Sequence, residues 1–289
     1  MQLGINTDYL HSTGSPEKYL RLAAEAGFTH IHWCHQWNTD FLYSSHEIGQ
    51  IGQWLKTYGL QLQDIHASAG MEKAWYGLDE YIRRSGVELI INRIEMFDRL
   101  GGTGGLALHT PCIRRVYKVD NSKFPQYMQS VRRSLDELMP VLEKYHTFLA
   151  IENMANDFFE AIEEITAAYP ADKIGITYDS GHGNYGYARG LQHLEKNKDR
   201  LKILHLHDND GTLDSHQTPF SGTVDWEKLT GIIARSSYSG PLSFELSMRF
   251  MPFFNPGLKE QPEEKIREFL ADAREKCAKV VEMYQKHRS

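Results

Sequence analysis

Residues 201–216 read LKILHLHDNDGTLDSH. An apolar, strand-like run gives way to His205, His207, Asp208, Asp210, Asp214 and His216. Ionisable side chains placed where a buried strand ends lose hydration, so they need partners or a cation. A solvated loop is the ordinary alternative for such a segment. The rest of the chain decides between the two.

Working outward, the same grammar recurs. Short β-rich runs appear as LGIN near residue 3, THIHWC near 29, LQLQDIHA near 60, GGLALHT near 104, FLAIENM near 148, KIGITYDS near 173 and GPLSFELS near 240. Amphipathic segments such as SPEKYLRLAAEAG, HEIGQIGQWLKTYG, VELIINRIEMFDRLG and MQSVRRSLDELMPVLEKYH lie between them. Ser15–Pro16 and Asp225 mark helix starts, while Gly27 and Gly59 mark helix stops. Strict strand–helix alternation implies parallel strands joined by right-handed crossovers. Eight such units in 289 residues, with no Pro-, Gly- or Ser-rich linker, predict one α/β domain over 1–289, a closed (β/α)8 TIM barrel. The GGTGG at 101–105 precedes a strand, so it reads as a helix stop and tight turn, not a dinucleotide loop.

Composition narrows the partners. A net charge of −6 gives no basic footprint, so nucleic acid is not expected. Cys34, Cys112 and Cys277 are far apart and form no C-x-x-C pair. That argues against a disulfide framework or thiolate zinc site and for a reducing, cytoplasmic setting. No signal-peptide pattern or membrane-length apolar run is present. A homo-oligomer is left open, although the long C-terminal amphipathic helix is expected to close the barrel.

In this fold the site forms at the C-terminal strand ends. Those ends carry His66, His109, Glu152, Asp179, His182, His205 and Glu245, with Asp214 and His216 in the loop after the seventh strand. One such histidine is commonly a hydrogen-bonded core residue, and one buried carboxylate is commonly half of an ion pair. A ring of them would repel and desolvate itself without a cation. A mixed oxygen and nitrogen donor set suits Mn²⁺, Co²⁺, Mg²⁺ or Zn²⁺. Trp33, Trp37, Trp75 and Tyr76 follow early strands and are candidates to stack on a substrate ring, Trp33 and Trp75 foremost, with rim packing the alternative.

The ordered words IENM, TYDSGH, ILHLHD, SGTVDW and FELS resemble the xylose isomerase-like TIM barrels over nearly the whole chain. That superfamily holds sugar isomerases and epimerases and the endonuclease IV repair enzymes. The resemblance to its epimerase branch implies one divalent ion held by Glu152, Asp179, His205 and Glu245. It also implies acid–base work by Glu152 and Glu245 through a metal-stabilised enediolate, and substrate contact by His182. Gly211 stands where some ketose epimerases carry an arginine. The endonuclease IV branch implies up to three Zn²⁺ on His66, His109, Glu152, Asp179, His182, His205, Asp214, His216 and Glu245, for cleavage at abasic DNA sites. The words around those residues differ, with NMANDF after Glu152 and TPC after His109, and the segment HQTPFSGTVDW has the sugar-enzyme form. A metal-dependent sugar isomerase or epimerase is therefore the expected function. A keto-sugar or inosose lyase on the same site is the other alternative, and a non-catalytic barrel has no need of two acid–base carboxylates.

Overall fold

The computed structural model describes residues 1–11, 13–70, 72–110, 121–154, 159–185 and 190–289. Eight strands form one parallel sheet: β1 Leu3–Asn6, β2 His30–Trp33, β3 Gln61–His66, β4 Leu106–Leu108, β5 Leu149–Glu152, β6 Ile174–Asp179, β7 Leu201–His205 and β8 Leu242–Phe244. Each falls within a run read from the sequence. The order β7-β6-β5-β4-β3-β2-β1-β8 nearly closes the sheet, and a parallel bridge between Leu206 and Phe244 joins its two ends.

The outer layer consists of α1 Glu17–Glu25, α2 Ser45–Tyr58, α3 Glu80–Arg99, α4 Phe124–Lys144, α5 Phe159–Ala167, α6 Ser180–Asn184, α7 Gly190–Asn197, α8 Trp226–Ala234 and α9 Glu263–Arg288. Local chemistry sets their ends. Ser44 and Glu47 form a capping box on α2, and Gly59 ends it in the left-handed conformation at φ 65°. Asp225 caps α8 through the Lys228 amide. Pro16 is itself the N-cap of α1, one residue later than Ser15–Pro16 suggested. Gly101, in the glycine-rich stretch, stops the chain after α3 at φ 66°. As expected, α9 is an outer-layer helix, and it buries Phe269, Leu270, Cys277 and Val280.

Strand alternation sorts side chains between the barrel lumen and the strand–helix layer. Leu106, Leu108, Leu149 and Ile151 join the main core, whereas the intervening Ala107 and Ala150 form a small separate cluster with Ile203. The same parity turns Glu152, Asp179, His205 and Glu245 toward the lumen.

Two register shifts matter for the site. Pairing of β6 with β7 slips after Ile176↔Leu201, so that Asp179 stands opposite His205. Pairing of β2 with β3 slips between Ile31 and His32, which sets His32 opposite Asp64.

Candidate metal centre

Every residue of the predicted ligand set lies at the C-terminal mouth, and among the described residues four groups of donor atoms each gather within 4.8 Å. These are Glu152–Asp179–His205, His32–His205–Glu245, His66–His109–Glu152 and His182–Asp214–His216. His205 links the first two. Its Nδ1 stands 3.0 Å from Glu152 and 3.2 Å from Glu245. Glu152 links the first to the third, with His109 Nε2 at 3.5 Å and His66 Nε2 at 3.9 Å.

The imidazoles are aimed in a way that packing alone does not require. The Nδ1 atoms of His66, His182 and His216 meet the carbonyls of Ala67, Asn153 and Glu245 at 2.8, 3.0 and 3.0 Å. Each thereby presents Nε2 to the site, the orientation that metal-binding histidines commonly take. His66 Nε2 and His109 Nε2 face each other at 3.1 Å. His182 and His216 each approach Asp214, at 3.2 and 3.3 Å. His216 adopts φ 48°, an uncommon backbone conformation for a non-glycine residue.

Supporting contacts hold the carboxylates. Asn153 accepts from the Asp179 amide at 2.8 Å and donates to its carbonyl at 2.9 Å. The Asp179 carboxylate accepts from the His182 amide, capping α6, and faces His207 Nε2 at 3.0 Å. His207 stacks on His216 with centroids 3.9 Å apart. Asp208 belongs to the loop framework, accepting from the Asn209 and Val224 amides and from Trp226 Nε1. Asp210 accepts from Thr212 in an exposed turn. The polar run that opened the question thus divides into candidate ligands (His205, Asp214, His216) and their scaffold (His207, Asp208, Asp210).

Electrostatics follow from this crowding. Burial alone would lower His205, but Glu152 and Glu245 raise it to about 10. Burial opposes His216 in the same way, and Asp214 raises it to about 10. Glu152, despite burial, is held well below the ordinary carboxylate range by His205 and His109. His66 is driven well below its usual value by burial, so it stays neutral. Imidazolium charge on His205 and His216 thus balances the carboxylates around them. Even so, Glu152 Oε2, Asp214 Oδ1 and both ring nitrogens of His205 are buried without a hydrogen-bond partner among the described residues. A divalent ion would satisfy such atoms, and the oxygen and nitrogen donors fit one.

A cavity of about 230 Å³ opens beside Glu245, lined by Asp8, Trp37, Asn38, His216 and Arg249 among others. It is smaller than the roughly 300–1,000 Å³ of drug-sized sites, a scale that suits a compact polar ligand. Trp37 packs its ring 4.5 Å from that of His66.

Two of the aromatics expected to stack on substrate, Trp33 and Trp75, are placed otherwise. With His32 facing the lumen, alternation turns Trp33 to the strand–helix layer, where it is 1% exposed and donates to Tyr43. Trp75 is equally buried and donates to the His109 carbonyl at 3.1 Å, so it positions a candidate ligand. Rim packing accounts for both.

Sequence reasoning passed over Asp8, whose carboxyl is raised by burial and by Glu245. It also passed over the Cys34 thiol, 3.8 Å from Glu245 Oε1. Both lie just beyond strand ends, the one signal that marks them. Cys34 and Cys277 are buried free thiols, and Cys112 lies outside the described residues.

These features define the class, and comparison with known proteins agrees. The chain belongs to the xylose isomerase-like TIM barrel family, whose profile matches residues 20–276. An uncharacterized protein of Sinorhizobium fredii, y4fM, is 30% identical over 252 residues, covering 79% of this chain and 80% of that one. Among solved structures, a D-tagatose 3-epimerase-like protein superposes with a TM-score of 0.75 at 20% identity over 100% of both chains. The IolI protein with a bound zinc atom superposes with a TM-score of 0.70 at 17% identity, covering 99% of each.

Proposed function

We propose that the chain is a divalent-metal-dependent isomerase or epimerase of a small free or lightly modified sugar. The observation that carries this reading is the pair Glu152 and Glu245 flanking His205 within 3.2 Å, with Glu245 lining the adjoining cavity. Glu152, Asp179, His205 and Glu245 would hold the ion. When bound it would polarise adjacent carbonyl and hydroxyl oxygens of the sugar and stabilise an enediolate. Glu245, on the cavity side, removes or returns a proton at the sugar carbon, and Glu152 serves the opposite face. His182, aimed by Asn153, orients substrate hydroxyls. Trp37 offers the ring face that Trp33 and Trp75 do not. No described helix is long and apolar enough to cross a membrane, and the buried free thiols suit a reducing cytoplasm.

The test is turnover in D₂O with a panel of keto-hexoses, keto-pentoses, inososes and 3-keto-glycosides. Deuterium is expected on the inverted or isomerised carbon. Glu152→Gln and Glu245→Gln should each lose about 10²- to 10⁴-fold in rate. Conversion without solvent deuterium would count against this pair as exchanging bases. Loss of water or of a β-substituent would assign the lyase chemistry instead.

A second reading rests on the two further donor groups, His66–His109–Glu152 and His182–Asp214–His216. Together with the central group they would hold up to three Zn²⁺, as an endonuclease IV-like phosphodiesterase requires. Three zinc ions per chain, with nicking of an abasic duplex lost in His66→Ala and His216→Ala, would establish that reading over the first.

A further inference from the structure

We propose that His32, braced by Asp64, is an additional ligand of the central ion, approaching from the Glu245 side. The inference rests on the metal reading above and extends it to strand β2. Three observations converge.

The first is the irregularity in the β2–β3 pairing. Ile31 pairs with Leu62, but His32 pairs with Asp64, leaving Gln63 as the extra residue. Such a bulge re-aims a side chain, here placing a carboxylate directly across from an imidazole inside the lumen. Gln63 is committed elsewhere, donating to Tyr238 and to the Pro241 carbonyl.

The second is the pair itself. His32 Nδ1 is hydrogen-bonded to Asp64 Oδ1, and both residues are buried. A carboxylate on one ring nitrogen fixes the tautomer and makes the other nitrogen the better donor to a metal.

The third is what remains. His32 Nε2 is fully enclosed and has no hydrogen-bond partner among the described residues. The ring lies 4.2 Å from that of His205, centroid to centroid. One ligand atom each of His32, His205 and Glu245 gather within 4.8 Å. His35, by contrast, spends both nitrogens, on Tyr43 and the Gly14 carbonyl. His32 spends one and points its ring at the candidate ligands.

The test uses the full chain, stripped with a chelator and titrated with Co²⁺. The first equivalent should bind about 10- to 100-fold more weakly in Asp64→Asn, and at least as weakly in His32→Gln, with an altered visible d–d spectrum. His30→Gln, on the same strand with Nδ1 on Thr29, should match wild type. Asp64→Asn keeps the size of the side chain and reports even where His32→Gln does not fold. X-ray absorption of the wild type with one equivalent of Co²⁺ should count two imidazoles, His205 and His32. A single imidazole there overturns the proposal, as do folded variants with wild-type affinity and spectrum. Loss of Co²⁺ binding in Asp179→Ala, with no effect of either β2–β3 variant, would overturn this inference alone. Absence of Co²⁺ binding by the wild type would overturn the metal reading with it.

Discussion

Filling the centre with a divalent ion should expel protons, and their number tells which group has filled. His205 stays protonated up to about 10 in the metal-free protein because Glu152 and Glu245, set against the cost of burial, favour its charged form. A metal takes only the neutral ring. At pH 8 the ring is two units below that value, so an ion at Glu152–Asp179–His205 must displace about one proton. The displacement costs roughly 3 kcal/mol, about 100-fold in apparent affinity. Glu152 and Asp179 add none, since both are held below the ordinary carboxylate range by neighbouring histidines. An ion at His182–Asp214–His216 would displace about two more, because both imidazoles there are raised.

The sign is fixed by the raised value. Protons compete below about 10, so apparent affinity should rise about tenfold per pH unit from 7 to 9 for the central ion. Calorimetry of Co²⁺ binding in buffers of different ionisation enthalpy reads the proton count directly as a slope. A slope near one supports the central site, and a slope near three the multi-ion reading. Tight binding at pH 8 with no proton release and flat pH dependence would refute a central ion that displaces a proton from His205.

Three other outcomes follow from the same geometry. The stabilisation that His205 and His216 give the chelator-stripped protein is complete below about pH 6.5 and lost as pH rises toward 10. The stripped protein's melting temperature should therefore fall across that window, and an unchanged melting temperature would contradict the shifts. A Cβ on Gly181 would stand 1.9 Å from His207 Cε1, so Gly181→Ala must push the ring away from Asp179. It should cost about 1–3 kcal/mol in denaturant and roughly 10- to 100-fold in Co²⁺ affinity, and a variant unaffected in both would refute His207 as the brace. Asp208→Ala strips the acceptor from three buried donors; urea unfolding should show a loss of at least about 3 kcal/mol while Co²⁺ stoichiometry is kept.

The barrel was legible because parallel strands buried on both faces read as short apolar runs, and alternation with helical patterns leaves few topologies. The candidate ligands were legible because they sit at or just beyond the C-terminal ends of strands, where the fold gathers them. Trp33 was misjudged by type: an aromatic beside a site invites a stacking role, but its parity with Ile31, not His32, sends it outward. The slips that set Asp179 opposite His205 and His32 opposite Asp64 are properties of strand pairing, which no single strand's pattern encodes. Asp208 shows the limit of counting ionisable residues, since an aspartate that ties a loop and one that faces an ion look alike in sequence.

The two glutamates are alike in chemistry and unlike in setting, and that difference bears on function more than the ligand inventory does. Glu152 is 1% exposed and faces His66, His109, His182 and His205, so it is locked among imidazoles on nearly every side. Glu245 is 8% exposed and lines the cavity, with His205 on one side and the Cys34 thiol on the other. A carboxylate sealed among imidazoles is an anchor for positive charge before it is a base. One that opens on a cavity can meet a substrate carbon. Two acid–base groups of equal access would suit reversible transfer across a symmetric site, whereas here the open face belongs to Glu245. Asp8 reinforces the asymmetry, since burial and the neighbouring Glu245 raise its carboxyl and set a second acidic group on the open face.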